Sequence, residues 1–399
     1  SSEVDERTLR EIYLAAFETA IKEGKPDTVM CSYNRINGEF ASENHWLLTE
    51  VLRDEWGFEG YVMSDWGAVN DRVKGLKAGL ELEMPGSGGH TDKEIVEAVK
   101  SGELEEAVLD RAVERILNIV FKFADNRQEG RFDKEEDHKL AAKIEAESMV
   151  LLKNEGILPL SAKGKKIAFI GKFAESPRFQ GGGSSHINSF KITSALEAVK
   201  DVAQVTYAQG YDVKEDVVDQ AMLDQAVQTA KEADVAVIFA GLPDAFESEG
   251  YDRSHMRMPQ CQNTLISEIA KVQENVVVVL HNGSPVEMPW ADQVKGILEA
   301  YLGGQAVGQA EVDVLFGKVN PSGKLAETIP YKLSDNPSYL NFPGDGQTVE
   351  YKEGVFVGYR YYDTKEMPVR YPVGYVQSYN TYEYTQLQLN ADRIIATDN

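Results

Sequence analysis

Along residues 1–125 the apolar positions alternate between two periods, one helical and one extended. Over 7–22 they recur at helical spacing (Leu9, Ile12, Tyr13, Ala16, Ile21), which predicts a helix. The run 28–33 reads as a strand, and the polar Asn34-Arg35-Ile36-Asn37-Gly38 after it as a loop. A second helix is expected over 46–56, with Leu47, Leu48, Val51 and Leu52 facing inward. Tyr61-Val62-Met63, opened by Gly60, is an apolar run short enough for a buried strand, and Asp65 falls where that strand ends. A helix over 68–79, a strand over 80–84 stopped by Pro85-Gly86, and helices near 92–100 and 106–122 complete the segment.

Short strands each followed by a helix point to a parallel sheet or a barrel. This segment supplies three strands, whereas a closed (β/α)8 barrel needs eight and about 250 residues. Three such strands cannot close, and left open they present unpaired edges and apolar surface to water. The pattern fits either a small three-strand domain or the last part of a barrel whose first part is missing.

Residues 123–137 are polar and charged, as expected of an inter-domain linker. Leu140, Ala141, Ile144, Leu151 and Leu152 fall on one helical face, predicting a helix that runs through Leu152. From Lys165 the pattern changes. Strands are expected over 166–173, 203–208, 234–241, 275–282, 294–301 and 323–329, with helices over 219–232, 259–272 and 305–317. Four consecutive valines, 276–279, imply burial on both faces. These features describe an open, doubly wound α/β layer structure.

Composition removes several classes. Asp plus Glu number 65 and Lys plus Arg 41, a formal charge of −24, which argues against nucleic acid or an anionic membrane surface as partner. The 399 residues with 42% hydrophobic content fit two or three globular domains. No apolar run approaches the roughly 18 residues of a spanning helix. Cys31 and Cys261 lie in or beside predicted core segments, so buried free thiols are expected, and the six His show no ligand spacing, so no metal site is expected. The first residues hold no apolar signal segment, which slightly favours the cytoplasm.

Asp65 beside Trp66, at the carboxyl end of a strand, has the character of sugar chemistry: an acid to react at carbon and a ring to stack on the sugar. The competing reading makes Asp65 the N-cap of the helix expected near Ala68. Gly181-Gly182-Gly183 lacks both the Gly-Lys-Ser/Thr of a phosphate loop and the spacing of a dinucleotide fingerprint, so no nucleotide cofactor is expected. The loop 242–256 carries Glu247, Glu249 and Asp252; charged clusters of this kind are by default solvated. Glycosidic cleavage nevertheless needs two carboxyl groups, one ionised and one protonated. Asp65 and a glutamate of this loop would supply them if the domains face each other.

Six stretches, Met30-Cys-Ser-Tyr-Asn-Arg-Ile-Asn-Gly38, Trp56-Gly-Phe-Glu-Gly-Tyr-Val-Met-Ser-Asp-Trp66, Gln180-Gly-Gly-Gly-Ser-Ser-His186, Glu247-Ser-Glu-Gly-Tyr-Asp-Arg253, Asn320-Pro-Ser-Gly-Lys-Leu325 and Gly358-Tyr-Arg-Tyr-Tyr362, resemble the family 3 glycoside hydrolases, most closely the bacterial β-glucosidase type. The resemblance runs over nearly the whole chain. It implies a retaining mechanism releasing terminal non-reducing β-D-glucosyl residues, with Asp65 as nucleophile forming a covalent glycosyl intermediate and Glu249 as general acid/base. Work as an acid calls for a raised pKa at Glu249. The resemblance makes Tyr33 a contact to sugar and nucleophile, Trp66 an aromatic wall, and Ser184 a hydroxyl contact from the glycine loop. Glu247 is the nearest rival for the acid role, and Asp252 with Arg253 is expected to form a structural pair. The Glu249 motif argues mildly against the N-acetylglucosaminidase branch, which uses a His as acid.

The barrel motifs that grip glucose hydroxyls are absent ahead of Tyr33, and Tyr371-Pro-Val-Gly-Tyr-Val-Gln-Ser-Tyr379 departs from the usual aromatic-Gly-Tyr-Gly-Leu-Ser-Tyr. The fold expected is therefore a partial (β/α)8 barrel followed by an open α/β sandwich with a mostly parallel sheet. Residues 1–123 would be the C-terminal part of the barrel, 124–138 the linker and 139–330 the sandwich. Residues 331–399 would be an extended tail leading to a truncated fibronectin-like region. Expected partners are a β-linked oligosaccharide or aryl glucoside, and the missing barrel segment or a homo-oligomer. The alternatives are a non-catalytic fragment of such an enzyme, or a β-xylosidase or exo-glucanase of the same family.

Overall fold

The structure, a computed structural model, describes residues 1–389 and Arg393. The end of the expected fibronectin-like region lies outside the described residues. The chain forms two compact units, one of Ser1–Arg131 with Ser334–Met367, the other of Phe132–Leu333 with the residues from Pro368 onward.

In the second unit a six-stranded sheet runs in the order Val150–Asn154, Gly296–Glu299, Val276–His281, Val235–Gly241, Ile167–Ile170, Val205–Ala208. All neighbours are parallel except the first pair. Pleating sends alternate residues to opposite faces. Ala168, Ile170, Ala236, Ile238, Val276, Val278 and Leu280 meet Leu223, Ala226, Leu265 and Ile269 of the helices Gln220–Glu232 and Gln260–Ala270. Ile167, Phe169, Val235, Val237, Phe239, Val277 and Val279 meet Ala310, Val312 and Val314 of the helix Val307–Leu315 on the other face. Both faces being covered, the valine run is apolar without alternation. The chain builds the sheet outward in two directions, so its switch point lies between Ile167–Ile170 and Val235–Gly241, where ligand-binding loops of such sheets collect.

Two sequence expectations fail here. The helix expected through Leu152 ends at Ser148, and Val150–Asn154 is the antiparallel edge strand. Val150 and Leu152 enter one core layer and Leu151 the other, a period of two. The strand expected over 323–329 is an irregular extended segment: Leu325 and Ile329 are buried, yet the only bridge among the described residues of this stretch joins Ile329 to Tyr371.

Three acids, Glu145, Glu299 and Glu311, are buried in or beside this sheet. Burial, aided by the neighbouring Glu311, pushes the Glu145 carboxyl up to about 8. Burial likewise lifts Glu299 to about 8 against hydrogen bonds from Asn282 and the Tyr301 N–H. The folded protein therefore keeps protons that the unfolded chain releases near the ordinary 4.5. The stability these groups add is full below that value and is lost as pH rises through about 8. Urea unfolding should show stability falling between about pH 5 and pH 8, and Glu145→Gln should flatten that slope; an unchanged slope in the variant would remove Glu145 from the account.

The first unit alternates helices with short parallel strands. Thr28–Cys31 pairs with Tyr61–Ser64, and the strand expected over 80–84 is reduced to one bridge, Met63 to Leu82. The second edge of Thr28–Cys31 pairs with no strand among the described residues. An apolar groove of about 340 Å3, lined by Leu9, Tyr13, Leu14, Phe17, Val29 and Met30, lies beside it. The stretch 34–38, expected as a loop, is a hairpin: Arg35–Ile36 and Glu39–Phe40 pair across Asn37-Gly38, both at positive φ, the signature of an Asn-Gly turn. Ser2–Glu3 and Val349–Glu350 extend this small sheet, so 334–367 belongs to the first unit, a contribution that the apolar pattern does not announce. Both cysteines are free and buried. Among the described residues no helix is long and apolar enough to cross a membrane.

Candidate active site

In the first unit Cys31 pairs with Ser64, so the residues just beyond these two parallel strands emerge side by side. Tyr33 and Asp65 meet there. The Tyr33 hydroxyl donates to Asp65 Oδ1 at 2.7 Å, and the Trp66 N–H donates to the same oxygen at 2.7 Å. Asp65 Oδ2 has no hydrogen bond among the described residues. Both of these hydrogen bonds, from Tyr33 and from Trp66, hold the same carboxylate oxygen. Tyr33 and Trp66 stand 50% and 53% exposed beside it.

The cap reading of Asp65 is overturned. The helix begins at Arg72, not Ala68, and its cap is Asp71, whose side chain accepts from the Lys74 N–H. Asp65 is thus left for other work. Its strand is fixed from below by Glu81, whose buried carboxylate accepts from the Val62 N–H, from Arg53 and from Arg115.

In the second unit the loops after the two switch-point strands carry Ser184 and Glu249. Glu249 Oε2 accepts from the Ser184 N–H at 2.5 Å and from its hydroxyl at 2.7 Å. The glycine run lies against this carboxylate. A Cβ on Gly183 would lie 2.3 Å from Glu249 Oε2 and one on Gly182 2.4 Å from Ser248 Oγ, so the two loops approach as only glycine permits. Gln180 closes the glycine loop by a pair of hydrogen bonds with the Ile187 backbone.

Glu247, the rival acid, has a different environment. Burial pushes its carboxyl up, but hydrogen bonds from Ser284 and the Gly283 N–H together with the Arg178 guanidinium outweigh that and hold it below the ordinary carboxylate range. A group kept ionised is no proton donor. The expected Asp252–Arg253 pair is also absent among the described residues: Arg253 donates instead to Ser284 Oγ and the Pro285 carbonyl. Arg178, Gly283 and Ser284 were not visible to sequence reasoning, since Arg178 lies 69 residues from Glu247 and no local spacing marks it. Among the described residues no group of His, Cys, Asp and Glu is arranged to hold a metal ion.

Residues 1–119 match the model of the glycosyl hydrolase family 3 N terminal domain, and 149–359 that of the glycosyl hydrolase family 3 C-terminal domain. The chain is 58% identical to thermostable beta-glucosidase B of Acetivibrio thermocellus over 97% of its own length and 52% of that protein. It is 50% identical to an exo-alpha-(1->6)-L-arabinopyranosidase of Bifidobacterium longum, over 96% and 52% respectively. Among solved structures, the Bifidobacterium adolescentis GH3 beta-glucosidase superposes with a TM-score of 0.91 at 50% identity, covering 95% of this chain and 56% of that one. Beta-glucosidase 3B of Thermotoga neapolitana, in complex with alpha-D-glucose, gives 0.88 at 37% identity, covering 98% and 60%. The chain thus spans about half the length of the curated relatives it matches. The expected fold class, partial barrel followed by α/β sandwich, is the one these structures share with it. The chain belongs to glycosyl hydrolase family 3.

Proposed function

We propose that this chain carries the chemistry of a retaining β-glucosidase, with Asp65 as nucleophile and Glu249 as general acid/base. The observation that carries the reading is the Asp65 carboxylate: one oxygen is oriented by Tyr33 and the Trp66 N–H, and the other is open. In the first step Oδ2 attacks the anomeric carbon as the Glu249 proton passes to the departing glycosidic oxygen. In the second, Glu249 as carboxylate takes a proton from water, which displaces Asp65 and releases the sugar with its configuration retained. Tyr33, by donating to Oδ1, orients the carboxylate and stabilises its charge until the bond forms. Trp66 and Tyr33 supply ring faces for the sugar.

Incubating the intact protein with a 2-deoxy-2-fluoro-glucosyl fluoride, whose glycosyl-enzyme hydrolyses slowly, tests this. The peptide containing Asp65 should gain the mass of one fluoro-sugar. Labelling of a different carboxylate, or none alongside active turnover, removes Asp65 from the mechanism. A second reading follows from the arabinopyranosidase relative: an α-L-arabinopyranoside presents an equatorial anomeric bond like that of a β-glucoside, so the same machinery serves it. Comparing kcat/KM for the two aryl glycosides assigns the sugar.

Gly183→Ala should abolish most of this activity. The residue sits at φ 95°, and its new Cβ would overlap the Glu249 side chain. An activity loss of at least about 10²-fold is expected, the scale of losing a positioned acid. Near-normal kcat/KM would show that the glycine loop does not set Glu249.

A further inference from the structure

We propose that Glu247 is the positioning residue of the acid loop: its buried carboxylate, clamped by Arg178, Ser284 and the Gly283 N–H, fixes the turn that presents Glu249. The proposal rests on the reading of Glu249 as general acid/base. Glu247 and Glu249 are two residues apart but have opposite fates. Glu249 is exposed and bonds to Ser184, whereas the Glu247 side chain is only 16% exposed and points into the molecule.

The clamp joins loops from three neighbouring strands. Arg178 follows Ile167–Ile170, Glu247 follows Val235–Gly241, and Gly283 and Ser284 follow Val276–His281. Arg178, itself buried, donates to the Leu242 carbonyl, to Asp244 Oδ1, to Glu247 Oε2 and to the Glu247 carbonyl, so one guanidinium holds the whole first half of the loop. Ser284 Oγ donates to Glu247 and accepts from Arg253 at 2.6 Å, which ties down the loop beyond Glu249 as well. The acid therefore sits on a short span anchored at 247 and 253, pressed against glycines that leave no room for drift. A carboxylate placed two residues from an acid, ionised and fully hydrogen-bonded, has no proton to give. What it gives is geometry, and an acid must be placed within a few tenths of an ångström to act.

The test uses the intact protein and aryl β-glucosides of graded leaving ability. A 2,4-dinitrophenolate leaves without a proton; a 4-methoxyphenolate needs one. If Glu247 positions the acid, Glu247→Gln should lower kcat/KM for the methoxyphenyl substrate by about 10²-fold while the dinitrophenyl value changes by less than about 3-fold. Ser284→Ala, which loosens the clamp from outside the loop, should give the same signature, with thermal melts confirming that both variants fold. Glu249→Ala serves as reference. Should Glu249→Ala show leaving-group dependence while Glu247→Gln and Ser284→Ala lose activity uniformly or not at all, the positioning role is overturned and Glu249 stands. If Glu249→Ala itself shows no such dependence, the reading of Glu249 fails and the proposal falls with it.

Discussion

Asp65→Ala should reduce turnover of an aryl β-glucoside by at least about 10⁴-fold, the scale on which an enzyme loses its nucleophile. The expectation comes from the division of labour between its two oxygens. Tyr33 and the Trp66 N–H both engage Oδ1, which leaves Oδ2 for the attack. Tyr33→Phe should be milder, about 10- to 100-fold, because the Trp66 N–H still holds Oδ1 and only one hydrogen bond to a charged group is lost. Steady-state rates on both variants decide this. An alanine variant within about 10-fold of the parent would mean that another group attacks the sugar.

Glu81→Ala should be the most destabilising single change in the first unit, by about 3–5 kcal/mol in urea unfolding, against about 1 kcal/mol for an average substitution. Glu81 is 4% exposed and each of its oxygens lies 2.8 Å from Arg53 Nη2, with Arg115 Nη1 at 2.6 Å and the Val62 N–H at 2.7 Å. Removing the carboxylate leaves buried positive charge and a strand N–H without their acceptor. The damage should reach function, since Val62 lies in the strand Tyr61–Ser64, which ends just before Asp65. A solvated pair such as Lys139–Glu136 provides the control, where truncation should change nothing measurable. A loss below about 1 kcal/mol at Glu81 would show that water re-solvates the arginines.

Much of the architecture was legible because burial leaves a periodic trace. The valine run 276–279 announced a strand covered on both faces, and the Ser-Asp-Trp stretch announced a carboxylate at a strand end. Failures occurred where two periods overlap or where partners are distant. Val150, Leu151 and Leu152 continue a helical stripe on paper, yet the pairing with Gly296–Glu299 makes them a strand, a preference set by the sheet and not by the residues. Asn37-Gly38 is a hairpin signal, but its flanking strands are only two residues each, too short to leave an alternating pattern. The glycine run was readable as a need for close approach, but not what approaches. Glu249 and Ser248 do so from the loop that follows Val235–Gly241. The Arg178 clamp left no trace at all, because an ion pair between loops has no period.

Residues 334–367 fold with the first unit, so the polypeptide passes between units at 131–132, again at 333–334 and again at 367–368. During synthesis the strand Ser2–Glu3 must therefore wait for Val349–Glu350, its parallel neighbour, until the whole stretch between them has left the ribosome. No single scission yields the two units as separate stable products: expressing 1–131 alone would strand its small sheet without an edge, and expressing the remainder would carry that orphaned edge along with it.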